Sequence, residues 1–164
     1  MEFTFEPLSE KNRKAVIDIF NYFVEESFAA YPEHRVDYDF FDVFLKMSEV
    51  YPGIAICDDI GATVGFALLR PYHPASTFTR TAEIGYFILP SFTGKGAGTK
   101  ALHYLVREAE ALGVDTIVAS ISSRNEESIR FHLKNGFTEC GRLRRVGRKF
   151  GEDFDVVWMQ KRIQ

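Results

Sequence analysis

Two cysteines, Cys57 and Cys140, are too few in 164 residues for a disulfide framework. Both read as small buried apolar residues. No apolar run approaches the ~20 residues needed to span a membrane. Charge of one sign is missing too. Twenty Lys and Arg against 23 Asp and Glu leave a net charge of −3, with no general pull toward nucleic acid. Residues 1–6 hold neither a basic n-region nor an apolar h-region, so no secretory signal is read there. The expectation is a cytoplasmic protein without nucleic-acid or membrane partners, an enzyme or a binding module. No repeat, low-complexity run or linker divides the chain, so residues 1–164 read as one domain. What is present is an apolar fraction of 46% and 16 phenylalanines, enough for an aromatic-rich core.

Phe3-Thr4-Phe5 alternates as a short strand. From Lys11 the period becomes helical, with Val16, Ile19, Phe20, Phe23, Val24 and Phe28 on one side, Ser9 as N-cap and Pro32 past the end. A second helix is expected over 38–50, with Phe40, Phe41, Phe44 and Leu45 inward. Residues 54–57 and 64–69 form a hairpin around Asp58-Asp59-Ile60-Gly61. A strand over 81–89 follows. A helix comes next, with Ala101, Leu102, Leu105, Val106, Ala109 and Leu112 as its buried stripe. A strand over 116–120, a helix over 125–135 and strands over 137–146 and 153–162 complete the chain. The order β-α-α-β-β-β-α-β-α-β-β predicts an α/β (α+β) fold, a mixed central sheet flanked by about four helices.

The strongest chemical signal is Thr93-Gly94-Lys95-Gly96-Ala97-Gly98-Thr99, between a strand and a helix. Alternating glycines allow close backbone approach, and the helix start offers unpaired N–H groups to an anion such as a pyrophosphate. A P-loop requires Gly-Lys-Ser/Thr, whereas Gly98-Thr99-Lys100 has the wrong order. A Rossmann fingerprint requires an acid after the next strand, and Ala119-Ser120-Ile121-Ser122 has none. Glu83 also interrupts what would be its wholly apolar first strand.

The loop resembles the coenzyme A pyrophosphate loop of the GNAT N-acetyltransferases, with Thr93 where Gln or Arg is usual. The block Asn125…Ser128…Gly136-Phe137 is similar in order and spacing. Arg80-Thr81-Ala82-Glu83, Phe131-His132-Leu133, Gly141-Arg142-Leu143 and Gly147-Arg148-Lys149-Phe150-Gly151…Asp155-Val156-Val157-Trp158 resemble the phosphinothricin and methionine sulfoximine branch. The resemblance implies acetyl-CoA as co-substrate, no metal, and direct attack by the amine of a small molecule such as an amino acid or analogue. It also implies a homodimer. Thr93, Gly94, Lys95, Gly96, Ala97, Gly98 and Thr99 would hold the coenzyme. Backbone N–H groups near Phe87, Ile88 and Leu89, opened by a splayed strand pair, would hold its thioester arm.

Glu83, the acid of its strand, would take the amine's proton or bind its ammonium, or stand outward as a solvated strand residue. Asn125, Ser128 and His132 share a helix face at i, i+3 and i+7. His132 would donate a proton to the departing thiolate, or simply pack. Asn125 and Ser128 would reach the coenzyme, or Asn125 would cap its helix. Arg70, His73 and Arg80 are candidate partners for a substrate carboxylate, or an exposed basic rim. The run Arg142-Arg144-Arg145-Arg148-Lys149 reads as a solvated strand face. His34 and His103 lack metal-ligand spacing. Two other functions remain open: a non-catalytic acyl-CoA-binding module, and an acetyltransferase for protein N-termini or lysines.

Overall fold

The computed structural model describes residues 1–163. Its elements are β1 (Thr4–Pro7), α1 (Arg13–Glu26), α2 (Phe41–Met47), β2 (Gly53–Cys57), β3 (Thr63–Pro71), β4 (Thr81–Ile88), α3 (Ala97–Ala111), β5 (Thr116–Ser122), α4 (Glu126–Lys134), β6 (Thr138–Lys149) and β7 (Glu152–Arg162). One seven-stranded sheet runs β1-β2-β3-β4-β5-β7-β6. Only β4 and β5 pair in parallel. Element order and fold class agree with the sequence reading. Among the described residues, no helix is long and apolar enough to cross a membrane.

Strand alternation sorts the side chains into two cores. Ile54, Ile56, Ala67, Leu69, Ala82 and Ile84 face α3, with Ala101, Leu102, Leu105 and Ala109. Ala55, Phe66 and Leu68 face α1 and α2, with Val16, Ile17, Phe20, Phe41 and Phe44. β2 and the body of β3 are apolar on both faces because helices cover both. The phenylalanines gather on the α1–α2 face: Phe66 and Phe87 stack at 5.2 Å, and Phe20 meets Phe87 edge-on at 5.4 Å.

α1 is shorter than its apolar period. Ser27 is extended, and its hydroxyl bonds the Phe23 carbonyl at 2.9 Å, so Phe28 lies beyond the helix. α2 is only seven residues, preceded by a 3-10 turn over Tyr38–Phe40. Leu112 does not belong to the α3 stripe: it is 59% exposed, because the helix ends at Ala111 and Gly113 takes a left-handed turn with φ 86°. Cys140 is exposed rather than buried, on the edge strand β6, which is exposed along most of its length, whereas Cys57 is buried as expected.

Truncating Leu105 to Ala should therefore cost about 2–5 kcal/mol in chemical denaturation. Leu112→Ala should stay within about 0.5 kcal/mol. Similar losses for both would put Leu112 back in the core.

Candidate functional site

The pairing of β4 with β5 covers only residues 81–83 against 116–118. Both strands continue beyond it, β4 to Ile88 and β5 to Ser122, so a gap opens between them. The Leu89 N–H donates to the Val64 carbonyl, and the unbroken β3–β4 register puts Phe87 on the same edge. Tyr86 and Ile88 therefore turn their backbone groups into the gap. Of the three expected backbone donors, Ile88 fits, whereas those of Phe87 and Leu89 belong to the β3 side. Tyr86 takes their place.

Two cavities meet at this gap. The larger, about 660 Å³, is lined by Ile88, Thr93, Gly94, Gly96, Gly98 and Thr99, with Phe131 of α4 opposite. Gly94 and Gly96 have φ of 72° and 89°, and open space lies where their side chains would begin. Only glycine takes this path readily, and it brings the free N–H groups of the α3 start to the cavity. Gly98 serves a different end: an added Cβ would lie 3.1 Å from the Phe131 ring, so its smallness seats α4 against α3. Lys95 and Ala97 do not line the cavity. Lys95 turns toward the Phe92 ring, 5.7 Å away, and Ala97 is buried in the core. Thr93 Oγ1 donates to the Pro90 carbonyl at 2.8 Å, closing the turn instead of reaching outward.

The smaller cavity, about 250 Å³, lies against α1 and α2. Its walls include Phe20, Phe40, Val43, Phe44, Met47 and Leu68, and its one charged lining residue is Arg70. Arg70 and Glu83 are cross-strand partners, joined from Nη2 to Oε2 at 2.5 Å. Ser120 of β5 donates to the same oxygen at 3.1 Å. Glu83 is 9% exposed, with Oε2 doubly engaged; its partners Arg70 and Ser120 line the cavity, whereas Glu83 itself does not. His73 and Arg80 do not join this group. His73 packs on Phe78 in the β3–β4 loop, and Arg80 reaches Asp115 at 3.5 Å from an exposed position.

Ala29, Tyr86, Asn125 and Ser128 line both cavities and mark their junction. Asn125 Oδ1 accepts the Ser128 N–H at 3.3 Å, so it caps α4 while facing the junction. His132 is 2% exposed. Its Nδ1 lies 2.6 Å from the Ser128 carbonyl, which can only accept, so the ring proton sits on Nδ1. Nε2 is then the acceptor for the Tyr86 hydroxyl, at 3.0 Å. Burial pushes the His132 pKa down and that of Tyr86 well above its ordinary range. In this state the neutral imidazole keeps its proton on Nδ1 at the Ser128 carbonyl and turns an acceptor, Nε2, toward Tyr86. It orients Tyr86, a residue the sequence reading passed over, although even spacing from Ile84 and Ile88 on β4 places it on the α3–α4 face.

The run of basic residues on β6 forms ion pairs: Arg142 with Asp155, and Arg145 and Arg148 with Asp153. Lys149 departs from that solvated face and is buried.

Residues 16–137 match the model of the acetyltransferase (GNAT) family. A methionine sulfoximine/methionine sulfone acetyltransferase of Salmonella typhimurium is 31% identical over 91% of this chain and 88% of the relative. A phosphinothricin N-acetyltransferase of Streptomyces coelicolor is 27% identical over 94% and 93%. The crystal structure of a phosphinothricin acetyltransferase from Sinorhizobium meliloti, in complex with acetyl-CoA, superposes with a TM-score of 0.93 at 25% identity. It covers 99% of this chain and 89% of that one.

The buried imidazole gives a pH test. Its pKa is lower in the folded chain than the ordinary 6.5. As pH falls below 6.5, the unfolded chain takes up the proton first, and stability falls with it. Between pH 7 and 5 the denaturation midpoint of the wild type should drop more steeply than that of His132→Gln. Equal slopes would mean that the ring is protonated as readily in the folded chain as in the unfolded one.

Proposed function

The chain belongs to the acetyltransferase (GNAT) family, and from that premise we propose that it transfers acetyl from acetyl-CoA to the amine of a free amino acid with an uncharged side chain. The observation that carries this reading is the charge inventory of the smaller cavity. Its lining holds one cation, Arg70, which is bonded to the carboxylate of Glu83 just outside the lining, and a wall of Phe40, Val43, Phe44 and Met47. A zwitterion satisfies both charges: its carboxylate meets the open part of the Arg70 guanidinium, and its amine meets Glu83 Oε1. A second anionic group would be buried without a partner, at a cost of several kcal/mol. Methionine sulfoximine, with an uncharged side chain, suits this inventory better than the anionic phosphinothricin.

The larger cavity suits acetyl-CoA: Gly94 and Gly96 leave open space, and the α3 start presents donors for a pyrophosphate. Bound acetyl-CoA supplies an activated thioester carbonyl. The residues around it have separable tasks. The backbone N–H groups of Tyr86 and Ile88 face the gap and stabilise charge developing on a carbonyl oxygen. Glu83 accepts the amine's proton from the α1–α2 face of the sheet. Tyr86 approaches from the opposite face. Its phenol is too reluctant an acid to surrender a proton outright, so it turns its O–H from His132 toward the departing sulfur as a hydrogen bond. A thiol of ordinary pKa, about 8.5, needs little more help to leave.

Free-thiol release with acetyl-CoA and an amine panel tests the activity. An α-carboxyl amino acid should exceed its C-terminal amide in kcat/KM by roughly 10- to 150-fold, the worth of a charged hydrogen bond. Equal rates, or faster acetylation of lysine peptides, would overturn the acceptor assignment. No thiol release with any amine would leave a coenzyme-binding module. Separately, Tyr86→Phe should lower kcat about tenfold, as for the loss of one hydrogen bond, with the coenzyme Kd little changed. An unaffected kcat under conditions where chemistry is rate-limiting would remove Tyr86 from the mechanism.

A further inference from the structure

Lys149 is the most deeply buried cation of the described chain, at 3% exposure, and no step above uses it. Its ammonium donates to the Ser27 carbonyl at 2.7 Å and to the Ala30 carbonyl at 2.6 Å. The Phe150 ring lies 5.0 Å away. None of these direct partners is an anion, and the one carboxylate that acts on the ammonium, Glu33, does so from beyond ion-pair distance. Joining a hairpin to a loop does not require such a group, because an apolar side chain would pack there without the desolvation cost. What the ammonium adds is direction, since it fixes two carbonyls three residues apart on one turn.

That turn is part of the site. Ala29, Ala30, Tyr31 and Pro32 line the smaller cavity, while Ser27, Phe28 and Ala29 border the larger one. The same hairpin grips the turn with rings. Phe154 stacks on Tyr31 at 5.9 Å and 14°, and Phe150 meets Phe28 edge-on at 5.3 Å. Gly147 lies opposite Phe154 in the register, and any side chain at Gly147 would run into that ring. Tyr31 in turn reaches the Ser120 carbonyl at 3.4 Å, on the residue whose hydroxyl bonds Glu83.

We propose that Lys149, with Phe154, is a positioning residue for the acceptor: the β6–β7 hairpin ties down the turn so that Ala29, Ala30, Tyr31 and Pro32 form the wall against which the acceptor is oriented. This rests on the smaller cavity being the acceptor site. It gives the segment Gly147-Arg148-Lys149-Phe150-Gly151 a role in substrate affinity rather than in coenzyme binding.

Lys149→Met keeps the stem and removes the ammonium. The variant should remain folded by circular dichroism, and its amides over 27–32 should exchange hydrogen faster. The acceptor KM should rise about tenfold, as for two buried carbonyls losing their donor, while kcat and the acetyl-CoA Kd by calorimetry stay within about threefold. Faster exchange with an unchanged acceptor KM would make Lys149 a structural tie only and overturn the proposal. A coenzyme Kd weakened as much as the acceptor KM would overturn it equally. If Lys149→Met fails to fold, Phe154→Leu removes the stack on Tyr31 and leaves the ammonium in place. Its acceptor KM should rise severalfold with the coenzyme Kd unchanged, and an unmoved KM there also sinks the idea. If the wild type acetylates no free amino acid, the substrate reading fails on its own, and the same KM comparison is made with whichever amine of the panel it does acetylate.

Discussion

The parting of β4 from β5 after Glu83 and Val118 is the constraint on which the site depends. Paired strands satisfy each other's backbone groups, and a continuous ladder would have left Tyr86 and Ile88 with nothing to offer a ligand. Because the ladder stops, their N–H and carbonyl groups point into a space that both cavities share. Glu83 is the last residue of β4 paired with β5, so its backbone is fixed where the gap begins. Its carboxylate is held from both strands, by Arg70 on β3 and Ser120 on β5.

The buried polar groups around the gap show what neutralises them. Arg70 and Glu83 answer each other's charge. His132 stays neutral, and both ring nitrogens are engaged, one by a carbonyl and one by a phenol. Lys149 carries charge into the interior with carbonyls as its direct partners, and Glu33 acts on it only from a distance. An ion pair would satisfy its charge but would not reach two carbonyls of one turn. The desolvation cost is offset in part by short, charge-assisted hydrogen bonds.

Much of this was legible in the sequence, for identifiable reasons. The glycine loop is a local feature: φ above zero at Gly94 and Gly96 depends on those residues and their neighbours. The interruption of an apolar strand by Glu83 is local as well. The role of Tyr86 was not legible, because a tyrosine at an inward strand position looks like core until its partner on α4 is known. The roles of Phe87 and Leu89 depend on which strand edge bonds β3, and the side-chain pattern does not carry that. His73 and Arg80 stand near Arg70 in sequence, yet the β3–β4 loop leads them away from the cavity. Cys140 and Leu112 were misplaced for a related reason. Apolar character predicts burial only where another element covers the residue, and neither β6 nor the end of α3 is covered there.

The placement of Glu83 and Tyr86 on opposite faces of one sheet has an evolutionary consequence. The walls that would read the acceptor come mainly from α1, α2 and the turn between them, and they pack in one core. The glycine loop and α3 and α4, which border the larger cavity, pack in the other, although the end of α1 borders that cavity too. Val43 and Met47 border only the smaller cavity, so substitutions there can reshape its wall without passing strain through the glycine loop. A fold divided this way can change what it modifies while keeping the reagent it modifies with.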